Sequence, residues 1–208
     1  MFTRSTLSGI VSVISTLMTE NRDYLIQLDQ ANGDGDLGIS MDDGFRALAA
    51  WLGTATEEDL GQLLRGASKV FNTEAPSSLG TIISFGVMGM AKSLRGKTEV
   101  DCAGAANALN DGVANIMAKA DSKPGEKTIL DSLVPGVEAL VAGASAGDPA
   151  RTARAAAAAA AAGSEATKEM TAVHGRAVYS ASRSIGLLDG GSVVGRLIFE
   201  GIADYLED

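Results

Sequence analysis

The sequence predicts an all-α fold, a single-domain antiparallel bundle or barrel of about eight helices over residues 1–208. Three observations point that way. Apolar residues recur at i, i+3, i+4 and i+7 in one segment after another, the period of a helix with one buried face. No run alternates with the period of two that marks a half-buried strand, and no repeat of fixed length appears. Aromatic residues are only 4 % of a chain that is 46 % hydrophobic, so the core must be built from Ala, Leu, Ile, Val and Met, which suits closely packed helices.

Each helix has its own signature. Leu7, Ile10, Val11, Ile14, Leu17 and Met18 form a first stripe leading to an acidic loop, and Ile39, Phe45, Leu48, Ala49 and Leu52 form a second. Thr56, with Asp59 three residues later, resembles a capping box for the third stripe, Leu60 to Phe71. The fourth, Leu79 to Leu94, carries Gly80, Gly86 and Gly89, which allow close helix contact. Asp101 caps a fifth through Leu109, Val113 and Ile116, and Thr128 opens a sixth in which Pro135 should kink or delay the helix. Ala155 to Ala162 are eight alanines in a row. Composition alone suggests a linker, but Ala is the best helix former and the run contains no Gly, Ser or Pro, so it reads as a seventh helix. Val193, Val194, Leu197, Ile198 and Ile202 complete an eighth.

Charge and cysteine content narrow the function. With 17 basic and 26 acidic residues the net charge is −9, which argues against nucleic acid or an anionic membrane as the main partner. No stretch approaches a membrane span, and the N-terminus lacks a basic segment followed by an apolar one. A single cysteine, Cys102, excludes an internal disulfide and suits a reducing, cytoplasmic setting.

The run DQANGDGDLG places Asp29, Asp34 and Asp36 among Gly33, Gly35 and Gly38. Three like charges so close are costly unless a divalent cation offsets them, and oxygen-only ligands select Mg²⁺, Ca²⁺ or Mn²⁺. A calcium-binding helical module is the non-enzymatic alternative. An EF-hand frame begun at Asn32 fails, because its turn glycine falls on Leu37 and its bidentate glutamate on Asp43.

Phosphate-binding signals differ in quality. Ala91 to Thr98 satisfies a relaxed P-loop string, yet it begins inside a helical stripe rather than after a strand, so Gly96 is better read as a helix C-terminal residue. Pro76-Ser77-Ser78-Leu79-Gly80-Thr81 stands before the fourth helix as a cap and an anion site. Leu188-Asp189-Gly190-Gly191-Ser192 is a second Gly-rich helix entry, and Arg176 supplies a cation. His174, the lone histidine, has no carboxylate near it in sequence and reads as an exposed loop residue.

Taken in order, these segments resemble the L subunit of dihydroxyacetone kinase. The anchors are LDQANGDGDLG at 28–38, Pro124 to Asp131 with Pro135 following, Glu165 to Met170, and Gly175-Arg176-Ala177 leading into Ser182 to Gly186 and Asp189. The resemblance implies an eight-helix barrel capped by ADP or ATP, in which Asp29, Asp34 and Asp36 hold two Mg²⁺ ions that bind the nucleotide phosphates. It also implies nucleotide contacts at Leu37, Gly38, Ile39, Ser40, Ser77, Ser78, Ala120, Ile129, Arg176, Asp189, Gly190 and Gly191, with Ile129 packing on the adenine. Several positions depart from the common pattern: Leu37 replaces a His, Ala75-Pro76 a Gly-Gly pair, Ala120 a Gly, and Gly190 a Pro. These departures suggest a branch acting on a related small keto-sugar. The implied activity is a kinase that is inactive alone, because a separate K subunit holds the keto-sugar. A phosphohistidine carrier protein is the further partner if bound ADP is recharged rather than ATP consumed, and a homodimer is a further option.

Overall fold

A computed structural model describes residues 1–31, 33–175 and 184–207. Among them are nine α-helices: α1 (Arg4–Glu20), α2 (Arg22–Gln30), α3 (Leu37–Thr54), α4 (Leu60–Glu74), α5 (Ser78–Ser93), α6 (Cys102–Ala120), α7 (Leu130–Gly143), α8 (Pro149–Ala166) and α9 (Gly190–Glu207). A 3₁₀ turn, Thr167–Glu169, follows α8. Packing runs α1, α3, α4, α5, α6, α7, α8, α9 and back to α1, so eight helices close a ring while short α2 lies against α3. Their apolar faces surround an interior cavity of about 520 Å³, lined among others by Leu7, Leu48, Ile83, Val113, Val137 and Ile198.

The ninth helix comes from a break that hydrophobic period alone does not reveal. The Asn21 side-chain amide donates to Leu17 O at 2.8 Å, alongside its own backbone N–H at 3.0 Å. A side chain that competes for a backbone carbonyl in this way separates α1 from α2. The cap of α4 also differs from the expected Thr56: Asp59 is the N-cap, accepting from Gln62 N at 3.0 Å and from Gly96 N at 2.9 Å. One carboxylate thus serves both the α4 start and the turn after α5. The ladder missed by sequence reading, β1 (Phe2–Thr3) antiparallel to β2 (Glu99–Val100), is only two residues a side.

Small residues set how closely the helices approach. A Cβ at Gly89 would lie 2.7 Å from Asp111 O, and one at Gly112 would lie 2.9 Å from Gly86 O, so α5 and α6 meet backbone to backbone. Ala153, Ala156, Ala157 and Ala160 are buried on α8, confirming the alanine run as a packed helix rather than a linker. Pro135 neither delays nor interrupts α7. By lacking an N–H it leaves Asp131 O without its helical donor, and α8 approaches closely there, since a Cβ at Gly163 would lie 2.0 Å from that oxygen. Phe45 and Phe71 pack edge to face with centroids 4.8 Å apart, joining α3 to α4. Among the described residues, no helix is long and apolar enough to cross a membrane.

Candidate functional site

Four helices begin at one end of the ring, and their first residues touch. Ser40, in the first turn of α3, donates its hydroxyl to Ser77 Oγ, the N-cap of α5, at 2.7 Å. A Cβ on Gly190, the first residue of α9, would lie 2.5 Å from Leu37 Cδ2, the first residue of α3. One on Gly191 would lie 3.4 Å from the amide nitrogen of Ile129, the N-cap of α7. The N-termini of α5, α3, α9 and α7 are therefore neighbours, and the intervening α4, α6 and α8 run the other way. A helix's first turn carries unpaired N–H groups and the positive end of its dipole, so four such ends together attract an anion.

The acidic loop lies between α2 and α3, beside these ends. Carboxylate oxygens of Asp29, Asp34 and Asp36 lie within 4.8 Å of one another. Asp29, in the last turn of α2, accepts from Gly35 N at 2.7 Å and from Leu37 N at 3.4 Å. The loop folds back over it because Gly35 adopts φ +82°, a conformation that favours glycine. A Cβ at Gly33 would lie 2.1 Å from Asp29 Oδ1, so a side chain there would have to displace that carboxylate. Asp36 is the N-cap of α3, yet its carboxylate makes no capping hydrogen bond. Asp34 and Asp36 are exposed and Asp29 is half-buried. Such an open set of oxygens fits Mg²⁺, which is usually held by a few carboxylates and completed by water and phosphate, better than it fits the many-ligand cage of Ca²⁺.

The remaining expected positions divide. Gly38 and Ser40 are buried at the start of α3, while Ile39 is 42 % exposed. Ser77 caps α5 by accepting from Gly80 N at 3.1 Å, and Ser78 is exposed beside it. Ala120 is the last residue of α6, which ends where α5 begins. Ile129, expected to pack on the adenine, is 2 % exposed and lies against Gly195 and Gly191. Arg176 lies outside the described residues.

Asp189 caps α9, accepting from Ser192 N at 2.7 Å. Burial pushes its carboxyl up to about 7; the Ser192 amide and the Lys127 ammonium oppose that rise, while Asp131 and Asp29 add to it. A carboxyl so placed would ionise more readily with a cation nearby.

Two side chains in this region have environments that sequence reading missed. His174 is the exposed loop residue its sequence indicated, but it has a partner: its Nε2 lies 2.6 Å from Glu126 Oε2, and that contact is the main reason the Glu126 carboxyl falls to about 2. The pair is 48 residues apart in sequence, so proximity along the chain gave no signal. Lys127 is 5 % exposed and left-handed, with φ +61°. Its place inside the PGEKT run was the available clue, but the burial was not legible.

The P-loop-like string lies elsewhere. It begins in the last turn of α5, whose 16 residues span about 24 Å, so it sits at the far end of that helix from Ser77. Gly96, with φ +79°, serves the helix end there, as its sequence context indicated.

Fold and site together define an α-helical barrel with an acidic loop set among helix N-termini. Residues 31–204 match the DAK2 domain, and the chain belongs to that family. It is 30 % identical over 200 residues to the ADP-binding subunit DhaL of PEP-dependent dihydroxyacetone kinase 2 from Listeria innocua, covering 95 % of this chain and 93 % of the relative. To the corresponding subunit of dihydroxyacetone kinase 1 from that organism it is 31 % identical over 180 residues, 86 % of this chain and 85 % of the relative. The crystal structure of the C. freundii dihydroxyacetone kinase in complex with AMP-PNP and Mg²⁺ superposes with a TM-score of 0.77 at 22 % identity, covering 96 % of this chain and 34 % of that one. That likeness establishes the fold.

Proposed function

We propose that this chain is the nucleotide-binding subunit of a dihydroxyacetone-kinase-type phosphotransferase, acting on a small keto-sugar held by a separate K-type subunit. One observation carries the reading: three carboxylates with oxygens within 4.8 Å of one another stand among the converging N-termini of α3, α5, α7 and α9. An acidic protein that binds a polyanion needs both features, cations to offset charge and amides to hold oxygens. Asp29, Asp34 and Asp36 would hold two Mg²⁺ ions, which when bound offset the polyphosphate charge and favour in-line phosphoryl transfer.

The protein's own groups supply the rest. Amides in the first turns of α3 and α5, with the Ser77 and Ser78 hydroxyls, would bind phosphate oxygens. The Asp189-Gly190-Gly191 entry to α9 and exposed Ile39 border the nucleotide, with Ala120 at the end of α6 and Arg176 as further contacts. The whole chain acts as one domain, in the cytoplasm. That the two Listeria innocua relatives are ADP-binding subunits of PEP-dependent kinases favours a retained ADP, recharged by a phosphohistidine carrier. It also weighs against the calcium-binding alternative.

Calorimetric titration of the purified chain with ADP, with and without Mg²⁺, tests the reading. Mg²⁺-dependent ADP binding is expected. A response to Ca²⁺ alone with no affinity for Mg-ADP would overturn it. Adding the K-type subunit, a keto-sugar and ATP then separates the two modes: turnover stopping at one equivalent marks a resident ADP, and continued turnover marks ATP as donor.

A further inference from the structure

Lys127 stands in the loop between α6 and α7, facing the start of α9. The Asp131 carboxylate folds that loop, accepting from Gly125 N at 2.5 Å and from Thr128 N at 2.7 Å. Lys127 is thereby held in the left-handed region, which a residue with a Cβ rarely adopts. Strain of this kind persists where surrounding contacts over-determine it. Here those contacts come from the ammonium group. Nζ donates to Thr167 O, in the 3₁₀ turn after α8, and to Leu187 O at 2.7 Å, two residues before Asp189. Thr167 is itself buried, and its hydroxyl accepts from Asp189 N at 3.1 Å while donating to Ser164 O.

Asp189 is consequently located from two directions, through Thr167 on one side and through Leu187 on the other, and both routes end on one nitrogen. Asp189 in turn fixes the first amides of α9 by capping Ser192 N, next to Gly190 and Gly191. The same ammonium attracts the Asp189 and Asp131 carboxylates electrostatically, adding positive charge to this buried group. Burial lowers its own proton affinity, and those two carboxylates raise it.

We infer that Lys127 is a positioning residue for nucleotide binding, aligning the Asp189-Gly190-Gly191 entry of α9 by tying Thr167 O and Leu187 O to one buried ammonium. The inference rests on the nucleotide-binding reading and adds to it a residue that touches neither metal nor nucleotide. Without the ammonium, two carbonyls lose a charge-assisted donor, and the α9 entry is no longer held at a fixed distance from α7.

The test compares Lys127→Met and Lys127→Arg with wild type by Mg-ADP titration, alongside circular dichroism and thermal melting. The expected result is at least a tenfold rise in Kd for Lys127→Met with helicity retained, and recovery of most of that loss in Lys127→Arg, which keeps a cation and donors. A folded Lys127→Met with wild-type Kd overturns the inference. So does a Lys127→Arg variant that is folded yet binds as weakly as Lys127→Met. Failure of both variants to fold makes Lys127 a residue of the fold at large and overturns it equally. If the wild-type chain itself binds no Mg-ADP, the nucleotide reading has failed instead, a result visible before any variant is made.

Discussion

The Ser40 hydroxyl donates to Ser77 Oγ at 2.7 Å, joining the first turn of α3 to the N-cap of α5 across 37 residues of sequence. Ser77 simultaneously accepts from Gly80 N, so one oxygen closes a helix end and fastens it to the acidic-loop side of the site. Ser77→Ala removes both bonds. We expect a loss of stability of about 1 kcal/mol, the usual cost of a lost N-cap, read as a lower melting temperature. Mg-ADP affinity should also fall several-fold, whereas Asp59→Ala, at the other end of the barrel, should lower stability without that loss.

Asp34→Asn keeps the size of the side chain and removes one charge from the carboxylate trio. Helicity should be unchanged, while Mg²⁺-dependent ADP binding is lost and the thermal stabilisation by Mg-ADP disappears, since that shift exists only when ligand binds the folded state. Asp29→Asn should be worse. Its carboxylate also holds the Gly35 and Leu37 amides, so the loop itself loosens and a lower melting temperature accompanies the binding defect.

Asp189 gives the metal-free protein a pH dependence whose sign is fixed. Its carboxyl titrates near 7 in the folded chain against an ordinary 3.8, so between these values the folded state holds a proton that the unfolded state has lost. Stability from this group is therefore greatest below about pH 4 and declines as pH rises toward 7. Asp189→Asn keeps the capping oxygen and should flatten that decline in melts at pH 5, 6, 7 and 8. An unchanged pH profile in the variant would show that the slope arises elsewhere.

Leu37, the first residue of α3, and Gly190, the first of α9, meet. A Cβ on residue 190 would lie 2.5 Å from Leu37 Cδ2. Gly190→Ala should lower stability by on the order of 1 kcal/mol through overpacking. Combined with Leu37→Ala, the same change should cost less than the sum of the two single effects, because the space it needs is then open. Additive melting-temperature losses in the double variant would count against the compensation.

Particular residues explain what sequence could and could not convey. The eight ring helices were legible because each buries one stripe, and the acidic loop was legible because its three carboxylates fall within eight residues. The α1–α2 break was not, since Leu25 continues the apolar pattern past Asn21 and only a side-chain bond to Leu17 O marks the interruption. Choosing between Thr56 and Asp59 as cap depended on the Gly96 amide, which arrives from the next connection along the chain. Glu126 with His174, and Lys127 with Thr167 and Leu187, are pairings over 40 residues and more, invisible to any local window. The burial of Ile129 against α9 was likewise not legible, being a fact of packing rather than of composition.

The alanine run in α8 has an inside and an outside, although its letters are identical. Ala156, Ala157 and Ala160 are buried, whereas Ala155, Ala158 and Ala162 are exposed. Evolutionary drift should therefore be one-sided along this homopolymer: Lys or Glu can replace the outward alanines and preserve the helix. On the inward stripe, anything bulkier would wedge α8 away from its neighbours, so a stretch that a complexity filter would discard is constrained at every third or fourth letter.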